Sequence, residues 1–281
     1  VYQRRWISQV LPHIFLGILS LGMLFPVAYV FLTSFKTRTA VLTSPPTILP
    51  SVWALDGYIQ LWRSPMLAYY LPNTFINALG ASLITVPLAT LTGYLLSRLP
   101  SRYRRLVEAA LLTLLLLPGI TTFIPLHRLA SSLGLLNTNA LMIAIQIGGS
   151  LPLSIWLIKR FCESIPPELE EAAMLDGATS SQSLGFVVLP LILPGIFAAF
   201  LLTFVDAWNE FLAAVIFLSR YPAKTASVGL LDFQSQFEVA YHVQAAACVI
   251  MALPVVGIFL LLHRFFFQAL FEGLEEKDKG K

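Results

Sequence analysis

Three groups of side chains in this 281-residue chain have types that chemistry uses. Glu168, Glu170, Glu171 and Asp176 place carboxylates within one short stretch, and Asp206, Asn209 and Glu210 interrupt a long apolar run. Asn73, Thr74, Asn77, Gln146 and Ser150 are polar groups inside other apolar runs. Clustered carboxylates do acid–base or metal work when a histidine, cysteine or nucleophile stands with them. None does here. There is no HExxH, no G-x-S-x-G turn and no GxxxxGK followed by Ser or Thr, so hydrolytic metal, serine-nucleophile and phosphate-cradle chemistry lack their motifs. His13, His127, His242 and His263 are scattered, and Cys162 and Cys248 lack metal spacing. The chemistry left to this chain is recognition.

The elements that must position these groups follow from composition. The chain is 57% hydrophobic and 12% charged with mean hydropathy +0.77, whereas soluble domains run near one quarter charged. Charges cluster and leave uncharged stretches between them, and a helix needs roughly 20 apolar residues to cross about 30 Å of hydrocarbon. Five spans are predicted directly, near Leu11 to Leu32, Thr74 to Leu96, Val107 to Leu126, Ala140 to Lys159 and Gln244 to Phe265. A sixth, Leu191 to Leu218, carries Asp206, Asn209 and Glu210 near its centre. Ionisable groups at that depth face a bundle interior or a wet cavity, and the spacing predicts Asp206 and Glu210 on one helix face. The fold class is an all-α polytopic membrane protein with six transmembrane helices, residues 1–281 forming a single transmembrane domain. No soluble domain and no internal repeat stands out.

Lys and Arg fix the orientation, since positive loops stay in the cytoplasm. With both termini inside, the cytoplasmic segments hold Arg4, Arg5, Arg98, Arg102, Arg104, Arg105, Lys159, Arg160, Arg264, Lys277, Lys279 and Lys281, and the outer loops hold half as many. The net charge of +3 then reflects membrane topology rather than nucleic acid. Cys162 and Cys248 fall on opposite sides of the bilayer and read as packing residues. The first apolar run is too long for a signal peptide and should stay attached, and Val1 is not an initiator methionine, which leaves room for residues upstream. The outer segment Ser34 to Leu71, with Pro45, Pro46, Pro50, Pro65 and two Trp, suits an ordered interfacial loop.

The loop 161–189 is the most informative stretch. Pro166 and Pro167 suit a first turn, Glu168, Glu170 and Glu171 complement the positive end of the dipole, and Gly177 can close the helix in the left-handed conformation. A compact helix over Glu168 to Asp176 is predicted, thin on the side of Ala172 and Ala173. Such a rod suits either docking in another protein's groove or an ordinary connection between spans.

The order Glu171, Ala172, Ala173, then Gly177, then a hydrophobic segment ending Leu189, Pro190 resembles the EAA loop of ABC importer permeases. With IPPELEEAAMLDGA, Trp208, Asn209, Glu210, Phe211 and PLHRLASSLGLLNT from Pro125, the whole chain resembles the carbohydrate-uptake, maltose-permease-like members of that family. One departure stands out: position 185 is glycine and the usual aromatic falls at Phe186.

The resemblance implies a type I importer fold in a bacterial inner membrane. It implies that Glu168, Leu169, Glu171, Ala172, Ala173, Leu175, Asp176 and Gly177 form a coupling helix seated in an ATPase subunit. Alternating access would then be driven by ATP and Mg used by that subunit, with no cofactor bound by this chain and no catalysis in it. The implied partners are a homologous second permease, two ATPase subunits, an external solute-binding protein, membrane lipid and a sugar-like solute.

Sugar hydroxyls need hydrogen-bond partners and sugar rings stack on aromatics, which makes Asn77, Gln146, Trp156, Trp208, Asn209 and Glu210 the candidate path. Buried amides also simply join helices, and Asp206 with Glu210 also suits pairing with a partner's cations. Pro87, Pro118, Pro125, Pro152, Pro194 and Pro254 interrupt spans where helices bend. The loop from Ser219 to Val243, with Tyr221, Gln234, Gln236 and Tyr241, suits contact with the binding protein. The competing classes are a secondary transporter, which the 161–189 loop argues against, an intramembrane enzyme, which lacks a nucleophile with its base, and an importer of glycerol phosphate or another non-sugar solute.

Overall fold

The computed structural model describes the backbone of residues 2–116, 119–234 and 239–278, with side chains inside 12–263. Pro118, Gln236 and the side chains of Arg4, Arg5, Arg264, Lys277, Lys279 and Lys281 lie outside the described residues. In chain order the helices are α1 (Tyr2–Thr33), α2 (Arg38–Val41), α3 (Asp56–Arg63), α4 (Leu71–Arg98), α5 (Ser101–Leu116), α6 (Gly119–Ser132) and α7 (Asn139–Glu163). They continue as α8 (Pro167–Leu175), α9 (Ser180–Ser183), α10 (Leu189–Asn209), α11 (Leu212–Phe217), α12 (Ala226–Gly229) and α13 (Tyr241–Asp278). Five of the described helical stretches are long and apolar enough to cross a membrane, and six if α5 and α6 count as one bent span.

Two of the predicted spans change. The run Val107 to Leu126 is not straight: the axes of α5 and α6 differ by 84°, and the sequence places a proline before Gly119. The run Leu191 to Leu218 is shifted: the helical stretch runs Ser180–Asn209, breaks at Glu210 and Phe211, and resumes as α11. The polar trio therefore marks the end of a span and not its centre. The 161–189 loop is also shorter than expected, because α7 continues through Phe161 and Cys162 to Glu163.

Short wide π-helical turns precede two of the spans, at Met66–Tyr70 and Leu184–Val188, and each is followed two residues on by a proline, Pro72 or Pro190. A proline ring crowds the carbonyl four residues back and offers no N–H, and one extra residue in the turn relieves both problems.

The chain divides into two compact units. One comprises Val1–Ala68 and Gly229–Leu253. Its α1 exposes every described side chain from Pro12 to Ala28, as expected of a helix whose neighbours are lipid or another chain. After it, Lys36 is buried, with its ammonium on the Thr47 carbonyl and 4.9 Å over the Tyr29 ring, while Ser34 Oγ and Tyr58 Oη lie 2.8 Å apart. These contacts tie down the segment that follows α1. Gly57 admits no side chain, since a Cβ there would stand 2.7 Å from the His242 carbonyl oxygen.

The other unit comprises Tyr69–Val228 and Pro254–Lys281 and is built on α4, α7 and α10, all packed against one another. Small residues let the helices close: a Cβ at Gly93 would meet Lys159 N at 2.9 Å, and one at Gly195 would run into the Phe161 ring. A core of Val86, Ala89, Leu96, Ile155, Ile158, Cys162, Val188 and Ile192 fills the space between them. Cys162 and Cys248 are both free thiols.

Candidate functional site

The helix α8 runs Pro167–Leu175, within a residue of the predicted limits, and its ends are built by local chemistry. Pro166 and Pro167 occupy the start, where no amide partner is needed. At the other end Gly177 takes φ +95, its N–H donates to Met174 O at 3.0 Å, and Ala178 N–H donates to Ala173 O at 3.0 Å. This pair of bonds is the Schellman closure. Two residues on, Thr179 and Gln182 form a capping box, Gln182 N donating to Thr179 Oγ1 at 3.3 Å and Thr179 N to Gln182 Oε1 at 2.8 Å. One helix closes and the next opens with no slack between them.

Outward and inward faces of α8 are sharply divided. Glu168, Leu169, Glu171, Ala172, Met174, Leu175, Asp176 and Gly177 are exposed, Leu175 at 89%, and Ala173 is half-buried. Glu170 alone in this helix is buried. Its Oε2 accepts from Tyr94 Oη at 2.7 Å, and its Oε1 accepts from Arg98 Nε at 2.8 Å and from a second guanidinium nitrogen. The sequence reading assigned Glu170 only to the helix dipole, counted Arg98 only toward the orientation, and passed over Tyr94. Their spacing of four on the last turn of α4 puts both on one face, but nothing in the sequence says that α8 lies beneath it. A second ionic cluster joins α5 to α7: buried Lys159 pairs with Glu108 and, at 2.9 Å, with Glu163, and Arg104 reaches Glu163 at 3.1 Å.

Within the span region a cleft of ≈ 460 Å³ is lined by Leu115, Gly149, Ser150, Leu153, Ser154, Leu157, Ala199, Leu202, Thr203, Val205, Asp206 and Asn209. A polar seam runs beside it where α7 meets α10. Gln146 Nε2 donates to Ala207 O at 3.2 Å, Ser150 Oγ donates to Asp206 Oδ2 at 3.2 Å, and the Ser154 and Thr203 hydroxyls lie 3.1 Å apart. Positions 146, 150 and 154 repeat every four residues, a pattern already present in the sequence.

Of the candidate path residues, only Asn209 lines this cleft, with Nδ2 donating to Val205 O at 2.8 Å. Gln146 is buried in the seam, and Asn77 is fully buried with neither amide atom hydrogen-bonded. Trp156 is half-buried under the Arg160 guanidinium, 5.3 Å from its ring centroid. Trp208 is buried, stacked on Phe204 at 5.6 Å and packed with Ala78 and Ala81, so its ring presents no face to a solute. Asp206 and Glu210 do not share a helix face, because Glu210 lies past the end of α10 at ψ 119 and its Oε1 accepts from Ala213 N at 2.8 Å to start α11. Among the described residues no group of His, Cys, Asp and Glu is placed to hold a metal.

Residues 85–272 match the family described as "Binding-protein-dependent transport system inner membrane component". A sulfoquinovosyl glycerol transport system permease of Agrobacterium fabrum is 36% identical over 239 residues, covering 85% of this chain and 84% of that protein. A trehalose/maltose transport system permease of Thermococcus litoralis is 32% identical over 253 residues, covering 89% and 90%. Among solved structures, a chain of a bacterial ABC transporter that imports the acidic polysaccharide alginate superposes with a TM-score of 0.74 at 26% identity, covering 92% of this chain and 96% of the other.

Proposed function

Because the chain belongs to the family of binding-protein-dependent transport system inner membrane components, we propose that α8 is the surface through which a separate ATPase subunit drives it. The chain is the inner-membrane permease of an ABC importer for sugar-like solutes and is itself non-catalytic. In the proposed assembly this permease pairs with a homologous second permease, two ATPase copies use ATP and Mg, and a solute-binding protein delivers cargo from outside. The orientation read from Lys and Arg places α8 on the cytoplasmic side.

One observation carries the reading: α8 turns all but one of its acidic and bulky apolar side chains away from its own chain. Exposed Leu169, Met174 and Leu175 on a short, rigidly capped helix suit insertion into a groove, and Glu168 and Glu171 supply charge at its rim. The solute would pass the cleft beside the seam, where Ser150, Ser154, Thr203, Asp206 and Asn209 offer hydrogen bonds to hydroxyls within apolar walls.

Cysteine placed at Leu175 should cross-link to an ATPase subunit in membranes of the full assembly, and Glu171→Arg should leave insertion intact while separating ATP hydrolysis from uptake. A Leu175 cross-linker that captures no ATPase, together with normal transport by Glu171→Arg, would defeat the assignment. An uptake panel of disaccharides, glucosylated glycerol and glycerol phosphate separates a sugar importer from an importer of another solute.

A further inference from the structure

We propose that Glu170, Arg98 and Tyr94 form a latch that fastens α8 to the last turn of α4, making Glu170 a positioning residue rather than a contact for the ATPase. The proposal rests on the coupling role of α8 given above and states how motion of α8 enters the membrane bundle.

Glu168, Glu170 and Glu171 are alike in sequence, yet their surroundings differ. Glu168 and Glu171 face outward, whereas Glu170 is 5% exposed and both of its oxygens are occupied within the chain. An arginine fork on a carboxylate is directional as well as charged, so it resists sliding in a way that an apolar contact does not. Tyr94 and Arg98 are one turn apart on α4, and the guanidinium also stacks 5.9 Å from the Tyr94 ring centroid. The carboxylate therefore grips the helix end at two successive positions.

The latch supplies a connection that the backbone lacks. Through the chain, α8 leads directly back to α7 and, through the capping box and the wide turn, forward to α10. No such short path leads to α4, since Arg98 and Glu170 are 72 residues apart. Yet α4 packs against both α7 and α10, and Gly93, next to Tyr94, lies against the α7 backbone at Lys159 and Ile155. With the latch closed, displacement of α8 pulls all three central helices together. With it open, α8 reaches α4 only indirectly, through the packing of α4 on α7 and α10.

The test uses the complete assembly in proteoliposomes and reads solute uptake per ATP hydrolysed for Glu170→Gln, Arg98→Gln and the pair. Each single change should lower that ratio about tenfold, the equivalent of losing one charge-assisted hydrogen bond, with ATP hydrolysis near the starting rate. The pair should lose no more than either single change, because the groups act as one unit. Tyr94→Phe keeps the ring and removes one bond, and should lower the ratio about threefold. It decides the matter should the charge variants fail to assemble. A wild-type ratio in Glu170→Gln, losses that multiply in the pair, or an unchanged ratio in Tyr94→Phe would overturn the latch. Uncoupling by Glu171→Arg alongside normal transport by Glu170→Gln would remove the latch and leave the role of α8 standing. Normal transport by Glu171→Arg with no ATPase cross-link would remove that role itself.

Discussion

Gly177 shows how one residue type can carry a mechanical property. Its φ of +95 lies where side chains are strained, although nothing beyond its adjacent backbone stands within 4 Å of the position a Cβ would take. Gly177→Val therefore meets backbone strain rather than a clash, about 1–2 kcal/mol for the left-handed region. That should loosen the closure of α8 without disturbing the bundle. Uptake per ATP is expected to fall while the melting midpoint of the purified subunit holds, and a variant that transports normally would show that the closure is dispensable. Trp208 makes the opposite point. As a solute-stacking residue it would tolerate truncation structurally; packed against Phe204, Ala78 and Ala81, it should not. Trp208→Ala is expected to cost about 3–5 kcal/mol of stability in thermal unfolding, as for other large aromatics cut from a core. Unchanged stability with weakened solute affinity would restore the stacking role.

At the scale of elements, α4 and α7 pack closely along their length. Gly93→Val would push a side chain into the backbone at Lys159 and Ile155, and overpacking of that kind costs about 1–3 kcal/mol. The expected result is a lower melting midpoint in detergent, with Gly185→Ala, which meets open space, as the unaffected comparison. The elements were unequally legible in the sequence. Long uninterrupted apolar runs gave α1, α4, α7 and α13, and the prolines, carboxylates and glycine gave α8 nearly to the residue, because those signals are local. Where α10 ends was not legible, since Phe211 to Leu218 is as apolar as what precedes it and only Glu210, serving as a cap for α11, marks the break. The burial of Glu170 was missed for a different reason. It depends on which helix lies beside which, and spacing along one helix carries no record of its neighbour, whereas Pro118 already marked a bend in the run that became α5 and α6.

For the whole molecule, a single chain with a long outward-facing α1 and an outward-facing α8 is a part that needs others. This subunit alone in liposomes is expected to pass no solute, and uptake should appear when the second permease, the ATPase and the binding protein are added together, measured as ATP-dependent accumulation of a labelled sugar. The wide turn at Leu184–Val188 bears on how such a chain can vary in length. The buried stripe steps from Ser183 to Val188, five residues, and then to Ile192, four, so one surplus residue is swallowed without rotating α10 out of its seat. Gly185 sits in that turn, with no neighbouring side chain packed against it. The turn thus works like an expansion joint. A relative one residue shorter here would build the same bundle with an ordinary helical turn in its place, and excising Gly185 should shorten the chain while the membrane part still assembles.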